Sequence, residues 1–122
     1  MENYEILKLA ANALNEKKAL DIVGVEIADL TVLSDMFLIC TANSSTHVRA
    51  LCDEVEDVLE KNGVRPHHIE GKATGWIALD YGSIIIHIFG KTEREYYGLD
   101  KMWSDGKIID MSEILTNEAE EN

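Results

Sequence analysis

The sequence predicts a single α/β domain in which helices flank a mixed parallel and antiparallel sheet of five strands. Three observations carry that prediction. Met36-Phe-Leu-Ile-Cys-Thr41 is a nearly continuous apolar run of strand length, the pattern of a strand buried on both faces. An amphipathic helical pattern follows it and supplies a crossover, which parallel strands require. Further on, Trp76-Ile-Ala-Leu79 and Ile84-Ile-Ile-His-Ile-Phe89 flank the turn residues Asp80-Tyr81-Gly82-Ser83, which reads as a hairpin.

In chain order, Leu7, Ala10, Ala11 and Leu14 fall on one face at helical spacing, so residues 4–18 form a first amphipathic helix. Ile22 and Val25 to Ile27 suggest a strand, and residues 29–34 a polar-tinged connection. After the Met36 strand, Asn43-Ser-Ser-Thr46 offers helix-capping residues. Val48, Leu51, Cys52, Val55, Val58 and Leu59 then share one helical face, and Gly63 fits a left-handed residue after the helix end. Asp53, Glu54, Glu56, Asp57 and Glu60 lie off that face and read as a solvated surface.

The only proline, Pro66, sits in a short extended segment, residues 64–70, suited to an edge strand where a missing N–H costs least. Gly71 to Gly75 is a turn, and the hairpin's second strand should be central. Thr92-Glu-Arg-Glu95 has the spacing of a reciprocal capping box, opening a helix that carries Tyr96, Tyr97, Leu99, Met102 and Trp103. The order is α, β, β, α, β, β, β, α. Residues 107–115 read as a last short element and residues 116–122 as an acidic tail.

With 122 residues, the chain is one domain of common size that must do everything itself. It holds 11 Lys and Arg against 23 Asp and Glu, a net charge of −12. Such a chain repels phosphate backbones, and no basic run offers a local exception. The charge favours a basic partner protein, with little direct nucleic-acid contact. Cys40 and Cys52 lie in apolar surroundings, with no signal-peptide pattern and no bilayer-length apolar run, so both read as reduced core residues of a cytoplasmic protein without membrane association.

Groups that carry catalysis are present singly and do not cluster. Paired carboxylates on a metal and a phosphate stand one apart on a strand, facing the same way. No strand here has Asp-x-Asp; Glu26 and Asp29 follow the first strand without that spacing. Asn43-Ser44-Ser45 could meet an anion but lacks the glycines of a phosphate loop, and helix capping is the better reading. His67 and His68 point to opposite faces of a strand. His87, alone in an apolar strand, reads as a hydrogen-bonded structural histidine, since no further ligands assemble around it for a metal. Neither cysteine has an identifiable base. The chain therefore reads as a non-enzyme without cofactor or metal.

The aromatic residues near the C-terminal half invite two readings. Phe37, Phe89 and one of Tyr96 and Tyr97 belong in the core. The remainder, Trp76, Tyr81, Met102 and Trp103 with the second tyrosine, interleave with Asp80, Asp100 and Asp105. They are either further core with turn-region acids, or a protein-binding patch of aromatic anchors with a charged rim.

At the level of residues in order, the sequence resembles the ribosomal silencing factor family, RsfS, also called Iojap. The resemblance rests on Lys18-Ala-Leu-Asp-Ile22, Ser34-Asp-Met-Phe-Leu-Ile-Cys40, the helix start at Ser45 to Val48, and Glu70-Gly71. Above all it rests on Trp76-x-x-x-Asp80-Tyr81-Gly-Ser-x-x-x-His87-x-Phe89 and Arg94-x-x-Tyr97-x-Leu99-Asp100-x-x-Trp103-x-Asp105. It covers residues 4 to about 106, implying a family domain over residues 1–106 and an extension over residues 107–122 that ends in the acidic tail. Gly106 stands where the family pattern usually has alanine, which would loosen the chain after Trp103.

The resemblance implies an α/β fold similar to nucleotidyltransferases without their catalytic carboxylates. It further implies binding to a basic large-subunit ribosomal protein, L-fourteen, at the surface that bridges to the small subunit. Occupying that surface blocks subunit joining and represses translation in starvation or stationary phase, with no covalent step. Carried over by position, the contact surface comprises Trp76, Leu79, Asp80 and Tyr81 of the hairpin with Tyr97, Leu99, Asp100, Met102 and Trp103. Asp80, Asp100 and Glu70 are expected to pair with Lys or Arg of the partner. Two competing functions remain at this point, an active nucleotidyltransferase-like enzyme and a module that pairs with itself as a homodimer through the same apolar face.

Overall fold

The computed structural model describes residues 2–72 and 74–115; the acidic tail expected over 116–122 lies outside the described residues. The elements are α1 (Asn3–Glu16), β1 (Leu20–Glu26), β2 (Met36–Ala42), α2 (Ser45–Lys61), β3 (His68–Glu70), β4 (Trp76–Asp80), β5 (Ile84–Gly90), α3 (Lys91–Tyr97), α4 (Leu99–Met102), β6 (Lys107–Ile109) and α5 (Met111–Ile114). One sheet runs in the order β3-β4-β5-β2-β1-β6. Parallel pairing of β2 with β5 joins two antiparallel sections, so the mixed sheet is as the sequence predicts.

The sheet has six strands rather than five. The addition is β6, whose Lys107, Ile108 and Ile109 pair with Glu26, Val25 and Gly24. A three-residue strand is too short to show alternation, and residues 107–115 therefore gave no sign of which element they form. Pro66 sits two residues before the edge strand β3, where its missing N–H leaves the ladder intact.

Helix ends follow local chemistry. Lys18, at φ 67°, turns the chain after α1 while the Ala19 N–H donates to Leu14 O; this left-handed step ends the helix just short of the expected residue 18. Ser44 caps α2 by accepting from the His47 N–H at 3.1 Å, and Gly63 follows its end at φ 80°. The Thr92–Glu95 capping box does not form. The chain passes from β5 directly into α3 at Lys91, with Gly90 as an N-cap that has no side-chain bond, so Thr92 is already inside the helix. The last helix is not continuous either: Gly98, at φ 59°, divides it into α3 and α4.

The two faces of the sheet are covered unequally. On one, α1 and α2 pack over Leu38, Cys40, Ile77, Leu79, Ile84, Ile86 and Ile88, forming the larger core, with Met111 of α5 against it. The opposite face carries a smaller cluster, Val25, Phe37, Ile39 and Phe89, under Leu99, Trp76 and Trp103. Among the described residues, only α3, α4 and the turn through Trp103 cover that second face.

Candidate functional site: an open sheet face

Strand alternation decides which residues reach the open face. Successive side chains of a strand point to opposite sides. In β4 the burial alternates accordingly: Ile77 and Leu79 are buried against the helices, whereas Trp76, Ala78 and Asp80 are half-buried on the other side. Pairing carries that side across the sheet, to Glu70 opposite Ala78 in β3 and to Phe89, His87 and Ile85 of β5. It continues to Phe37 in β2, opposite Ile85, to Val25, opposite Phe37, and to Ile108, opposite Val25. Ile85 is half-buried and Ile108 is 61% exposed, so apolar surface extends beyond the helix cover.

An aromatic stack occupies the centre. Trp76 lies over Phe89 with ring centroids 5.0 Å apart and meets Tyr97 at 4.5 Å; Trp103 meets Phe37 edge-on at 5.4 Å. These offset and edge geometries are the favourable ones for aromatic pairs. His87 lies between the two groups, 4.6 Å from Phe37 and 5.9 Å from Trp76. Its Nδ1 accepts the Trp76 indole N–H at 3.1 Å, in line with a structural, hydrogen-bonded histidine. Burial pulls the imidazole down to about 4, so it is neutral at physiological pH.

The structure thus brings Trp76, Tyr97, Leu99 and Trp103 to one face, and Met102, the residue before Trp103 in the chain, is 67% exposed. It does not bring Leu79 or Tyr81 to this face. Leu79 is wholly buried beneath the helices, and Tyr81 is 6% exposed in the same core. Burial, helped by the Glu56 carboxylate and the Cys52 thiol, pushes the Tyr81 phenol up. The expected burial of one of Tyr96 and Tyr97 does not occur: both are exposed, Tyr96 meeting Tyr97 edge-on. Phe37 and Phe89 are buried as expected.

The acids expected to meet a basic partner already have bonds within the chain. Asp100 takes a two-pronged bond from Arg94, Nε to Oδ2 at 3.0 Å and Nη2 to Oδ1 at 2.8 Å, and this bond holds its carboxyl below the usual range. The same guanidinium donates to Thr41 Oγ1 and to the carbonyl of Asp21. Asp21 is left-handed at φ 48°, beside the irregular step of β1. Arg94 therefore ties α4 to β1 and β2, a role that spacing alone does not reveal. Asp80 accepts from the Gly82 N–H at 2.7 Å and shapes the hairpin turn, and Glu70 contacts His68 at 2.6 Å. Asp80 and Glu70 each keep further acceptor capacity on the open face.

Nothing in this arrangement builds a nucleophile. Cys40 and Cys52 are free and buried, and burial pushes each thiol up to about 12. Cys52, Asp53 and Glu56 lie close enough to share a cation, but Lys72 sits 3.5 Å from Glu56 and already supplies a positive charge.

Comparison with known proteins gives this face its context. The sequence profile described as "Ribosomal silencing factor during starvation" matches residues 1–122. The chain belongs to the RsfS family. It is 37% identical to RsfS of Bacillus subtilis over 112 residues, covering 91% of this chain and 95% of that one. It is 34% identical to RsfS of Halalkalibacterium halodurans over 117 residues, covering 95% of this chain and all of that protein. A crystal structure from Chromobacterium violaceum superposes with a TM-score of 0.82 at 32% identity, over 85% of this chain and 88% of that one. RsfS membership connects the protein with translation regulation. No helix among the described residues is long and apolar enough to cross a membrane.

Proposed function

We propose that this protein silences ribosomes by steric occlusion: it docks its open sheet face on the large subunit through ribosomal protein L-fourteen and thereby blocks joining of the small subunit. The carrying observation is the pair of aromatic contacts, Trp76 with Tyr97 and Trp103 with Phe37, on a sheet face that helices leave partly uncovered. Rigid aromatic anchors ringed by polar groups are the parts from which a protein-binding hot spot is built. Family membership points the same way, and the net charge of −12 suits a basic protein partner while repelling rRNA.

In this reading Trp76, Tyr97, Met102 and Trp103 supply apolar contact, and Asp80 and Glu70 meet cationic side chains. Leu99 seats α4, Asp100 is held by Arg94 and secures the Trp103 turn, and Leu79 and Tyr81 support the hairpin from beneath. The action needs no catalysis, takes place in the cytoplasm, and is centred on the domain of residues 1–106, with residues 107–122 as an extension. The test is co-sedimentation with isolated large and small subunits, followed by a joining assay. Selective large-subunit binding, weakened by Trp76→Ala and Trp103→Ala and accompanied by blocked joining, is the expected result. A folded wild-type protein that binds neither subunit, or a dimer that persists on the ribosome, would count against it.

A further inference from the structure

The connection between β1 and β2 holds three large apolar side chains in water: Leu30 is 45% exposed, Leu33 67% and Val32 fully exposed. The ends of the loop are tied down by hydrogen bonds. At its base the Ile27 N–H donates to Asp35 O at 2.9 Å, and the Asp35 N–H to Ser83 O at 3.0 Å. The buried Ser34 hydroxyl bonds Gly82 O at 3.1 Å, the N–H groups of Leu30 and Thr31 return to Ile27 O, and Leu33 N–H meets the Thr31 hydroxyl. The backbone is therefore ordered in advance with its apolar side chains outward, a costly arrangement for a monomer and a useful one for docking.

Beside this loop runs a cleft of about 520 Å³ whose walls include Glu26, Asp29, Leu30, Asp35, Asp105 and Lys107. Four carboxylates face one lysine there, and that lysine stands 3.9 Å from Glu26. Among the described residues Asp29 and Asp105 have no ion-pair partner, so the cleft presents uncompensated negative charge. Asp105, on its wall, lies two residues after Trp103 of the open sheet face.

We infer that this loop and cleft form a second docking surface, separate from the Trp76 face, for an extended protein segment that carries lysines or arginines interspersed with an apolar side chain. Charge complementarity decides the occupant. A second copy of this chain would bring its own charge of −12, and a nucleic acid would bring phosphates; both are repelled. A basic segment lays its cations along Asp29 and Asp105 and its apolar side chain on Leu30, Val32 and Leu33. The surface stands whether or not the Trp76 face binds the ribosome, because none of its residues belongs to that aromatic stack.

The test uses the full chain and a fluorescent peptide alternating lysine with leucine and glycine, compared with one in which serine replaces leucine and one in which glutamate replaces lysine. Binding to the first, weakening with salt, is expected, with about a tenfold loss for Asp29→Asn/Asp105→Asn and a similar loss for Val32→Ser/Leu33→Ser. The serine peptide should bind more weakly and the glutamate peptide not at all, while Trp76→Ala leaves peptide binding unchanged. Circular dichroism checks each fold, and the asparagine pair alone suffices should the loop variant unfold. Undiminished binding by the asparagine pair overturns the inference, as does no binding by wild type. Loss of binding in Trp76→Ala would move the peptide to the sheet face, and a dimer dissolved by the loop variant would make the occupant a second copy; either overturns it. Large-subunit co-sedimentation of the same variants reads the Trp76 face separately.

Discussion

The Trp76 indole Nε1–H donates to His87 Nδ1 at 3.1 Å. An indole N–H can only donate, so Nδ1 is unprotonated and the imidazole proton sits on Nε2. Among the described residues that Nε2 is buried with no partner. The strand thus spends a polar group in its core to fix the orientation of Trp76, one of the two tryptophans on the open face.

Acid should undo this arrangement. Burial holds His87 down at about 4 in the folded state, against an ordinary value of 6.5. The unfolded chain therefore binds more protons between these values, and stability is full above pH 6.5 and declines as pH falls toward 4. The difference corresponds to about 3 kcal/mol. Protonated Nδ1 would also cease to accept the indole N–H. Urea unfolding at pH 7 and pH 4.5 should show a smaller acid penalty for His87→Gln than for wild type; equal penalties would mean that His87 does not titrate this way.

The two sides of β4 should behave differently on truncation. Leu79→Ala leaves a cavity among fully buried residues and should cost about 2–5 kcal/mol of stability, with little effect on large-subunit binding by the folded fraction. Trp76→Ala, on the half-buried side, should weaken that binding by about 2 kcal/mol or more. Chemical denaturation paired with co-sedimentation separates the effects. Equal binding losses would refute the division into two faces.

How far this division was legible in the sequence depends on the strand. Met36 to Cys40 is apolar throughout, and the structure buries all of it; the run announced a central strand but not which residues face which layer. Ile84 to Phe89 is equally silent, since apolar residues stand on both sides. In β4, Trp-Ile-Ala-Leu-Asp, the strand period of two by itself separates Trp76 and Asp80 from Leu79. Carrying family positions over one by one ignores that period, and so grouped Leu79 with Trp76. Arg94 was invisible for another reason: its partners Asp21, Thr41 and Asp100 are distant in sequence or separated from it by the Gly98 break, and no local pattern records such a clasp.

That clasp should support the site from a distance. The Arg94 side chain is 14% exposed and gives up three partners in Arg94→Ala, leaving Thr41 and the Asp21 carbonyl unpaired. A loss of about 2–3 kcal/mol is expected, typical of hydrogen bonds to charged groups. Asp100 contributes above the ordinary carboxylate value and loses its share as pH falls through its lowered folded value. Arg94→Lys should recover only part, because a lysine cannot reproduce the two-pronged geometry. Thermal melts of the three proteins check the order; full recovery by lysine would show that charge alone suffices.

Gly106 offers the sharpest steric test. The family pattern's alanine at this position suggested that glycine would loosen the chain, yet a Cβ built here would lie 2.6 Å from Val25 Cγ2 and 2.8 Å from the Glu26 carbonyl oxygen. Real side chains do not approach backbone so closely, so β1 and the Trp103 turn would have to separate. The close approach is what lets Lys107 pair with Glu26 at the start of β6. Gly106→Ala should therefore destabilise the fold by about 1–3 kcal/mol and expose the amides of β6 to faster hydrogen exchange. An unchanged melting temperature with unchanged exchange at Ile108 and Ile109 would mean that the strands part at no cost, and the glycine would then be a neutral replacement for alanine.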